Sequence, residues 1–330
     1  VLVGSIVGPF VVPLLDLART RTVRLRVRVA LDPDFKKYLW IALPLMVGLS
    51  LATVDEWYER WFGATLAVGT VAHLSFARKL MMAPVAVVGQ AVAAAALPSL
   101  ARLFAAGQRE ALNRTLLQTL RVSLVLAVLS GTACVVLAGP LVEFVYRHGR
   151  FGEQDALAVA SILFVLAFAV PAWVTQQIAV RAFYARGDTW RPMILATVVA
   201  LAAIPLYLAL TRSHGAPGIA LAGVLAMTAN AVATLVWGAR RFDGPALGPL
   251  FGSGARALGI GLVAGLAAGF AQPRIAPGWE GAFLDLAVGG SVFLGVSGIG
   301  CWWWGDDAMR RGLAAIGAHL WRWPQRRTLQ

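Results

Sequence analysis

Apolar positions in this chain neither alternate with polar ones nor recur as a single helical stripe; they run on without interruption. Ile41 to Val54, Ser123 to Val142 and Ile162 to Val174 are nearly free of charge, and several such stretches exceed the roughly 18 residues that mark a membrane helix. The pattern predicts eight full crossings, approximately Lys37–Phe62, Leu66–Leu100, Leu116–Tyr146, Ala156–Tyr184, Pro192–Leu210, Gly218–Trp237, Ala257–Phe270 and Ala282–Trp304. Most of the breaks carry Gly, Pro or paired charges, as at Gly149-Arg150-Phe151-Gly152, Arg186-Gly187-Asp188 and His214-Gly215-Ala216-Pro217. Ala257–Phe270, short and glycine-rich, is the weakest span. An apolar segment ahead of a basic run is a stop-transfer order, so Val1–Leu17 is expected to be the tail of a membrane helix that begins upstream of Val1. Connections are short, which leaves no room for a soluble catalytic domain.

Composition agrees with an all-α membrane protein. The chain is 59% apolar and 14% charged, against roughly 25% charged in an ordinary soluble domain, and its mean hydropathy is +0.72. A water-soluble enzyme is excluded. Cys134 and Cys301 both sit in apolar runs, so neither a disulfide framework nor a metal site is expected, and no cofactor is implied. The net charge of +13 would suggest nucleic acid on a soluble protein, but here it sorts by topology. With alternating helices and a cytoplasmic segment after Leu17, the basic residues of Arg19–Lys37, Arg102–Arg121, Arg181–Arg191, Arg240–Arg256 and Arg310–Arg327 share one side. Only Arg60, Arg147, Arg150, Arg212 and Arg274 fall on the other. That asymmetry is the positive-inside signature, and it puts the basic linker and the C-terminal tail in the cytoplasm of a multi-pass inner-membrane protein. The alternating run Val23–Val29 is a surface β segment or a strip lying on anionic headgroups, where each basic residue contributes about 1 kcal/mol.

Two charged clusters remain. In Asp55-Glu56-Trp57-Tyr58-Glu59-Arg60, Asp55 and Glu59 share a helix face, as do Glu56 and Arg60. The cluster is either an interfacial belt, with Trp57, Tyr58 and Trp61 at the headgroups, or the lining of an aqueous cavity in which Asp55 or Glu59 binds a coupling cation or exchanges protons. The second is Arg78-Lys79, near the middle of its span, with His73 before it and Pro84 after it. A charge at that depth costs a few kcal/mol unless it faces water or a partner. Adjacent residues differ by about 100° around a helix, so one of the two pairs with Asp55 or Glu59 or snorkels, or one presents an anion site suited to a phosphate-bearing ligand. Gly259, Gly261, Gly265 and Gly269 form a small-residue ladder, a helix-packing face by default.

Several segments, taken in order, resemble the MurJ/MviN family of lipid II flippases. Phe183-Tyr184-Ala185-Arg186-Gly187-Asp188-Thr189-Trp190-Arg191-Pro192 resembles that family's turn between two helices; Ala77–Pro84, Leu97-Pro98-Ser99-Leu100 and Tyr146–Phe151 leading to Asp155 agree in order and spacing. The resemblance implies the second six-helix lobe of a two-lobe flippase fold plus two additional C-terminal transmembrane helices. It divides the chain into a helix remnant (1–17), a basic linker (18–35), the lobe (36–241), a two-helix lipid-tail groove module (242–304) and a basic tail (305–330). It further implies a polyprenyl-pyrophosphate-linked glycan as substrate, membrane lipids as surroundings, a first lobe outside this chain and no enzymatic activity. Lys79 falls where the family has a cavity arginine, with Arg78 beside it, and these become the expected substrate-binding residues. Glu59 and Asp55 become the charge-balancing or ion-coupling pair, and Gly187, Asp188 and Thr189 the turn motif. Met82 replaces the family's glutamate, and the helix containing Ala203–Tyr207 lacks sodium ligands, so no family-type sodium site is expected. Two other functions stay open: a flippase for another polyprenyl-linked glycan, and a non-transporting membrane scaffold.

Overall fold

A computed structural model describes residues 33–51, 53–149, 151–274 and 278–307, together with Val11, Leu15, Met309 and Arg310. The Val23–Val29 run and the end of the basic tail lie outside the described residues, as does Val1–Leu17 apart from Val11 and Leu15. The chain divides into two compact units, residues 1–42 and 43–330. Every regular element among the described residues is helical.

The expected crossing Lys37–Phe62 is two helices, α1 (Pro33–Leu51) and α2 (Val54–Gly63). The break has a local cause. Asp55 and Glu56 fall in the first turn of α2, where negative side chains favour a new helix start, and the Thr53 carbonyl accepts the Glu56 and Trp57 N–H groups at 3.1 and 3.3 Å. Next comes a continuous span, Thr70–Ala105, made of α3 (Thr70–Pro84), a π-helical turn (Val85–Gln90) and α4 (Ala91–Ala105). Pro84 lacks an N–H and crowds the preceding turn, and the widened turn directly after it absorbs the mismatch.

The predicted helix Leu116–Tyr146 starts earlier and breaks at Leu137, giving α5 (Arg109–Val136) and α6 (Ala138–Tyr146). Pro140 sits in the first turn of α6, where a proline costs no hydrogen bond. Following it, α7 (Glu153–Leu166) runs through a 3-10 turn (Ala167–Ala169) into α8 (Val170–Tyr184), with Pro171 at the start of α8.

The two predicted helices on either side of His214–Pro217 form one uninterrupted stretch, α9 (Trp190–Arg241), except at Gly215, whose φ of 58° and ψ of −133° are not helical. A side chain on Gly218 would lie 2.0 Å from the Leu210 carbonyl oxygen, and one on Gly223 would lie 3.0 Å from the Tyr207 hydroxyl. Residues eight and sixteen apart touch only if the chain doubles back. The arms 190–214 and 216–241 are therefore an antiparallel hairpin turned at Gly215, as the sequence pattern requires.

The weakest predicted span is a full 24 residues, α10 (Gly248–Ala271). Its expected late start is wrong because Pro249 opens the helix, acting as a first-turn residue and not as a breaker. Last is α11 (Trp279–Trp303). Packing centres on α3, α5, α7, α8 and α9, with Leu74, Met81, Leu163, Ile178, Tyr207 and Ile219 fully buried. The α10 helix packs on α5 and on α11. Three of the ladder glycines face α5: a Cβ at Gly261 would meet Thr132 at 2.9 Å, at Gly265 Val136 at 2.8 Å and at Gly269 Val136 at 3.9 Å. Gly259 has open space before it.

Candidate functional site

The acidic stripe of α2 meets one of the two adjacent cations of α3, Arg78, inside the bundle. Arg78 and Glu59 are both buried and form a two-pronged ion pair, Arg78 Nε donating to Glu59 Oε2 at 2.8 Å and Nη2 to Oε1 at 2.6 Å. The planar guanidinium matches the carboxylate edge to edge, a geometry a lysine cannot reproduce. One helical turn from Glu59, Asp55 accepts a hydrogen bond from the Tyr207 hydroxyl at 3.4 Å. The Tyr207 ring stacks on Phe62 with centroids 5.7 Å apart and tilts against Tyr58 at 5.0 Å, while Tyr58 donates to the Ala200 carbonyl at 3.0 Å. Glu56 and Arg60 pair across one turn at 3.7 Å on the exposed face, beside exposed Trp57 and Trp61. One face of this short helix thus carries Trp57, Trp61 and the Glu56–Arg60 pair, and the other turns Asp55 and Glu59 toward Tyr207 and Arg78.

The adjacent cations separate as the 100° helical step demands. Arg78 turns inward to Glu59, while Lys79 is exposed, its ammonium 5.4 Å from the Phe76 ring centroid. Among the described residues no carboxylate stands within ion-pairing distance of Lys79. Phe76 belongs to an aromatic group with Tyr146 and Phe151, at 4.8 and 5.7 Å. His73 Nε2 meets Asp155 Oδ1 at 2.9 Å, tying the first turns of α3 and α7 together.

Gly187, Asp188 and Thr189 lie at the far end of the α7–α8 span from Asp155, away from the charged pair. Gly187 adopts φ 73°, its N–H reaches the Tyr184 carbonyl at 3.0 Å and the Asp188 N–H reaches the Phe183 carbonyl at 3.1 Å. These are the two bonds of a Schellman stop. Asp188 then accepts from the Arg191 N–H at 3.3 Å and pairs with the Arg191 guanidinium, and Thr189 is buried. The motif is a helix stop joined to a helix start. Pattern reasoning missed Tyr207, which reads as one more aromatic residue in an apolar helix, and the His73–Asp155 bridge, whose partners are 82 positions apart. Among the described residues no group of three or more His, Cys, Asp or Glu is placed to hold a metal.

The family model described as "Lipid II flippase MurJ" matches residues 1–284. The chain belongs to the MurJ family. Similar proteins include a probable lipid II flippase MurJ of Rhizobium meliloti (strain 1021), 31% identical over 213 residues, 64% of this chain and 40% of that protein. Another, from Bdellovibrio bacteriovorus, carries the same description and is 25% identical over 70% of this chain and 44% of its own length. The chain thus spans less than half the length of these MurJ relatives. Among solved structures, a lipid II flippase MurJ in an inward closed conformation aligns with a TM-score of 0.65 at 18% identity, over 88% of this chain and 59% of that one. An outward-facing multidrug transporter of the MATE family aligns at 0.52 and 15% identity, over 88% and 73%. Both likenesses are of fold, and the MurJ fold is that of a multi-pass membrane transporter.

Proposed function

We propose that residues 36–241 are the second six-helix lobe, and residues 242–304 the lipid-tail module, of a flippase that carries undecaprenyl-pyrophosphate-linked peptidoglycan precursor from the cytoplasmic to the periplasmic leaflet. Alternating access needs two lobes rocking about a site between them, so this lobe works with a first lobe. The charge asymmetry supports a cytoplasmic placement of segments 18–35 and 305–330.

One observation carries the reading. Lys79 is exposed in a membrane-length apolar span, without a carboxylate partner among the described residues. A lysine at that depth is stable only against water or a counter-charge, and the pyrophosphate of a lipid-linked glycan is such a charge. Arg78 is neutralised by Glu59 at 2.6 Å; the pair fixes the rotation of α3 and leaves Lys79 as the cation that meets the substrate. Asp55, hydrogen-bonded to Tyr207, is the carboxylate free to balance charge when the site is empty. The tail lies along α10 and α11, where its apolar surface stays out of water.

Complementation tests this. In cells depleted of their own lipid II flippase, a full-length gene rescues growth, Lys79→Arg keeps rescue and Lys79→Ala abolishes it. Rescue by Lys79→Ala removes Lys79 from the mechanism.

A further inference from the structure

Two glutamines interrupt apolar helices outside the Glu59–Arg78 pair. Gln90 closes the π-helical turn between α3 and α4, inside the charge-free run 80–101, and Gln177 lies on α8 inside the charge-free run 156–180. Both runs belong to membrane-length spans. Gln90 is exposed and Gln177 half-buried, and among the described residues neither amide has a hydrogen-bond partner. An amide so placed is stable only against water or another polar group.

The two helices bring these amides to one place. Gly89 is buried where the π turn packs on α8, and a Cβ there would lie 3.3 Å from the Val174 side chain and 3.5 Å from Gln177 Nε2. The Gln177 amide therefore lies against the residue that precedes Gln90. Along α3 and the π turn, the exposed positions Lys79, Ala83, Ala86 and Gln90 follow in steps of three or four. The face that presents Lys79 thus also presents Gln90, roughly 15 Å further along the helix axis. On α8, Arg181 follows Gln177 by one turn and carries a buried Nε without a partner. The first arm of α9 shows what a lipid-facing surface of this protein looks like: in the same rhythm of three and four it exposes Ile194, Val198, Leu201, Ile204 and Leu208. A face that carries an ammonium and two carboxamides meets water and polar ligands instead.

The chemistry of that face changes along its length. Lys79 offers a cation to pyrophosphate oxygens. A carboxamide is neutral and both donates and accepts, which suits the hydroxyl and amide groups of a sugar. We propose that Gln90 and Gln177 hydrogen-bond the glycan of the polyprenyl-pyrophosphate-linked substrate and select lipids that carry it, while Lys79 holds the pyrophosphate. The inference rests on the transport reading above for the identity of the ligand. A site built to hydrogen-bond a group discriminates against the analogue that lacks it, because its own polar atoms are then left unpaired.

Equilibrium binding to the full-length protein tests this, with undecaprenyl pyrophosphate and the same lipid carrying its glycan as the two probes. The unaltered protein binds the glycan-bearing lipid about tenfold or more tightly than the bare one, the ratio expected of two neutral hydrogen bonds. Gln90→Ala/Gln177→Ala brings the ratio close to one by weakening only the glycan-bearing lipid. Gln90→Ala alone truncates an exposed side chain, lowers the ratio about threefold and covers the case of a double variant that does not fold. Lys79→Ala weakens both lipids and keeps the ratio. Equal affinity of the unaltered protein for the two lipids, a ratio unchanged in Gln90→Ala, or equal weakening of both lipids by the glutamine variants, as for side chains that only pack against a first lobe, would each overturn the inference. Affinities for both lipids undiminished by Lys79→Ala would instead remove Lys79 from pyrophosphate binding, with the ratio in the glutamine variants still deciding the glycan contact.

Discussion

At the scale of single residues, the Glu59–Arg78 pair sets the main constraint. Both side chains are buried and each satisfies the other, so removing one leaves a bare charge in a low-dielectric interior. Breaking such a pair costs about 3–5 kcal/mol, whereas replacing both partners with apolar residues of similar volume is close to neutral. Glu59→Gln is therefore expected to lower the thermal midpoint of the purified protein sharply, and Glu59→Leu/Arg78→Met to recover most of the loss. A double variant no more stable than Glu59→Gln would show that the pair does more than neutralise itself. Lys79 is expected to behave oppositely: its side chain is exposed, so Lys79→Ala should leave the thermal midpoint nearly unchanged, while under the proposed function it abolishes rescue in the complementation assay. The pairing of the two clusters was open to sequence reasoning because acids and bases occur in adjacent spans. Which cation turned inward was not, because a 100° step separates Arg78 from Lys79 and only the packing of α3 fixes its rotation.

At the scale of elements, glycine and proline decide where helices bend, and each does so through a different defect. Gly215 holds φ 58° and ψ −133° with nothing within 4 Å of a would-be Cβ, so Gly215→Ala meets no clash and pays backbone strain alone, about 1–3 kcal/mol. Gly265 has a helical backbone, and a Cβ there would come 2.8 Å from Val136; Gly265→Val thus forces α10 away from α5. Cysteine cross-linking between Thr132 and Gly261 positions is expected to fall in Gly265→Val and to persist in Gly215→Ala. The prolines show why boundaries resist pattern reasoning. Pro84 widens a helix without ending it, Pro140 and Pro249 fall in first turns, and Pro171 follows a 3-10 turn. A proline marks a change in the hydrogen-bond ladder, but the residues packed around it determine whether the helix stops.

At the scale of the whole molecule, a polar clamp fastens α10 and the end of α11 to α5. Arg121 of α5 donates to Ser253 of α10 at 2.9 Å and to Asp306, just past α11, at 2.7 Å, while Ser253 donates to Asp306 and the Met309 N–H closes the turn at 3.1 Å. Burial of Asp306 opposes its charge, yet the bonds from Ser253, Arg121 and Met309 outweigh it and hold the carboxyl below its ordinary value near 3.8. A depressed carboxylate contributes stability that is complete above the ordinary value and is lost as pH falls through the folded one. Limited proteolysis of the segment after α11 is expected to stay slow from neutral pH down to about 4 and to accelerate only in stronger acid. Asp306→Asn should remove that acid step and give faster cleavage throughout. An unchanged acid step in Asp306→Asn would assign it to another group.

Sequence alone determined the membrane class, the order of the apolar helices from α3 onward, the clustering of basic residues and the family turn, because each is written in local composition or in residues a few positions apart; it did not determine the break that splits the expected crossing Lys37–Phe62 into α1 and α2. The hairpin at Gly215 was legible for the same reason: a Gly-Ala-Pro-Gly run between two apolar segments has few other uses. Tertiary structure alone decided that Arg78 and not Lys79 meets Glu59, that Tyr207 reaches Asp55 across 152 positions, and that Arg121 and Asp306 join across 185. Those contacts depend on how each helix is rotated and which neighbour it packs against. In an interior where nearly every surface is apolar, hydrophobicity does not set that rotation; close packing and a few buried polar bonds do.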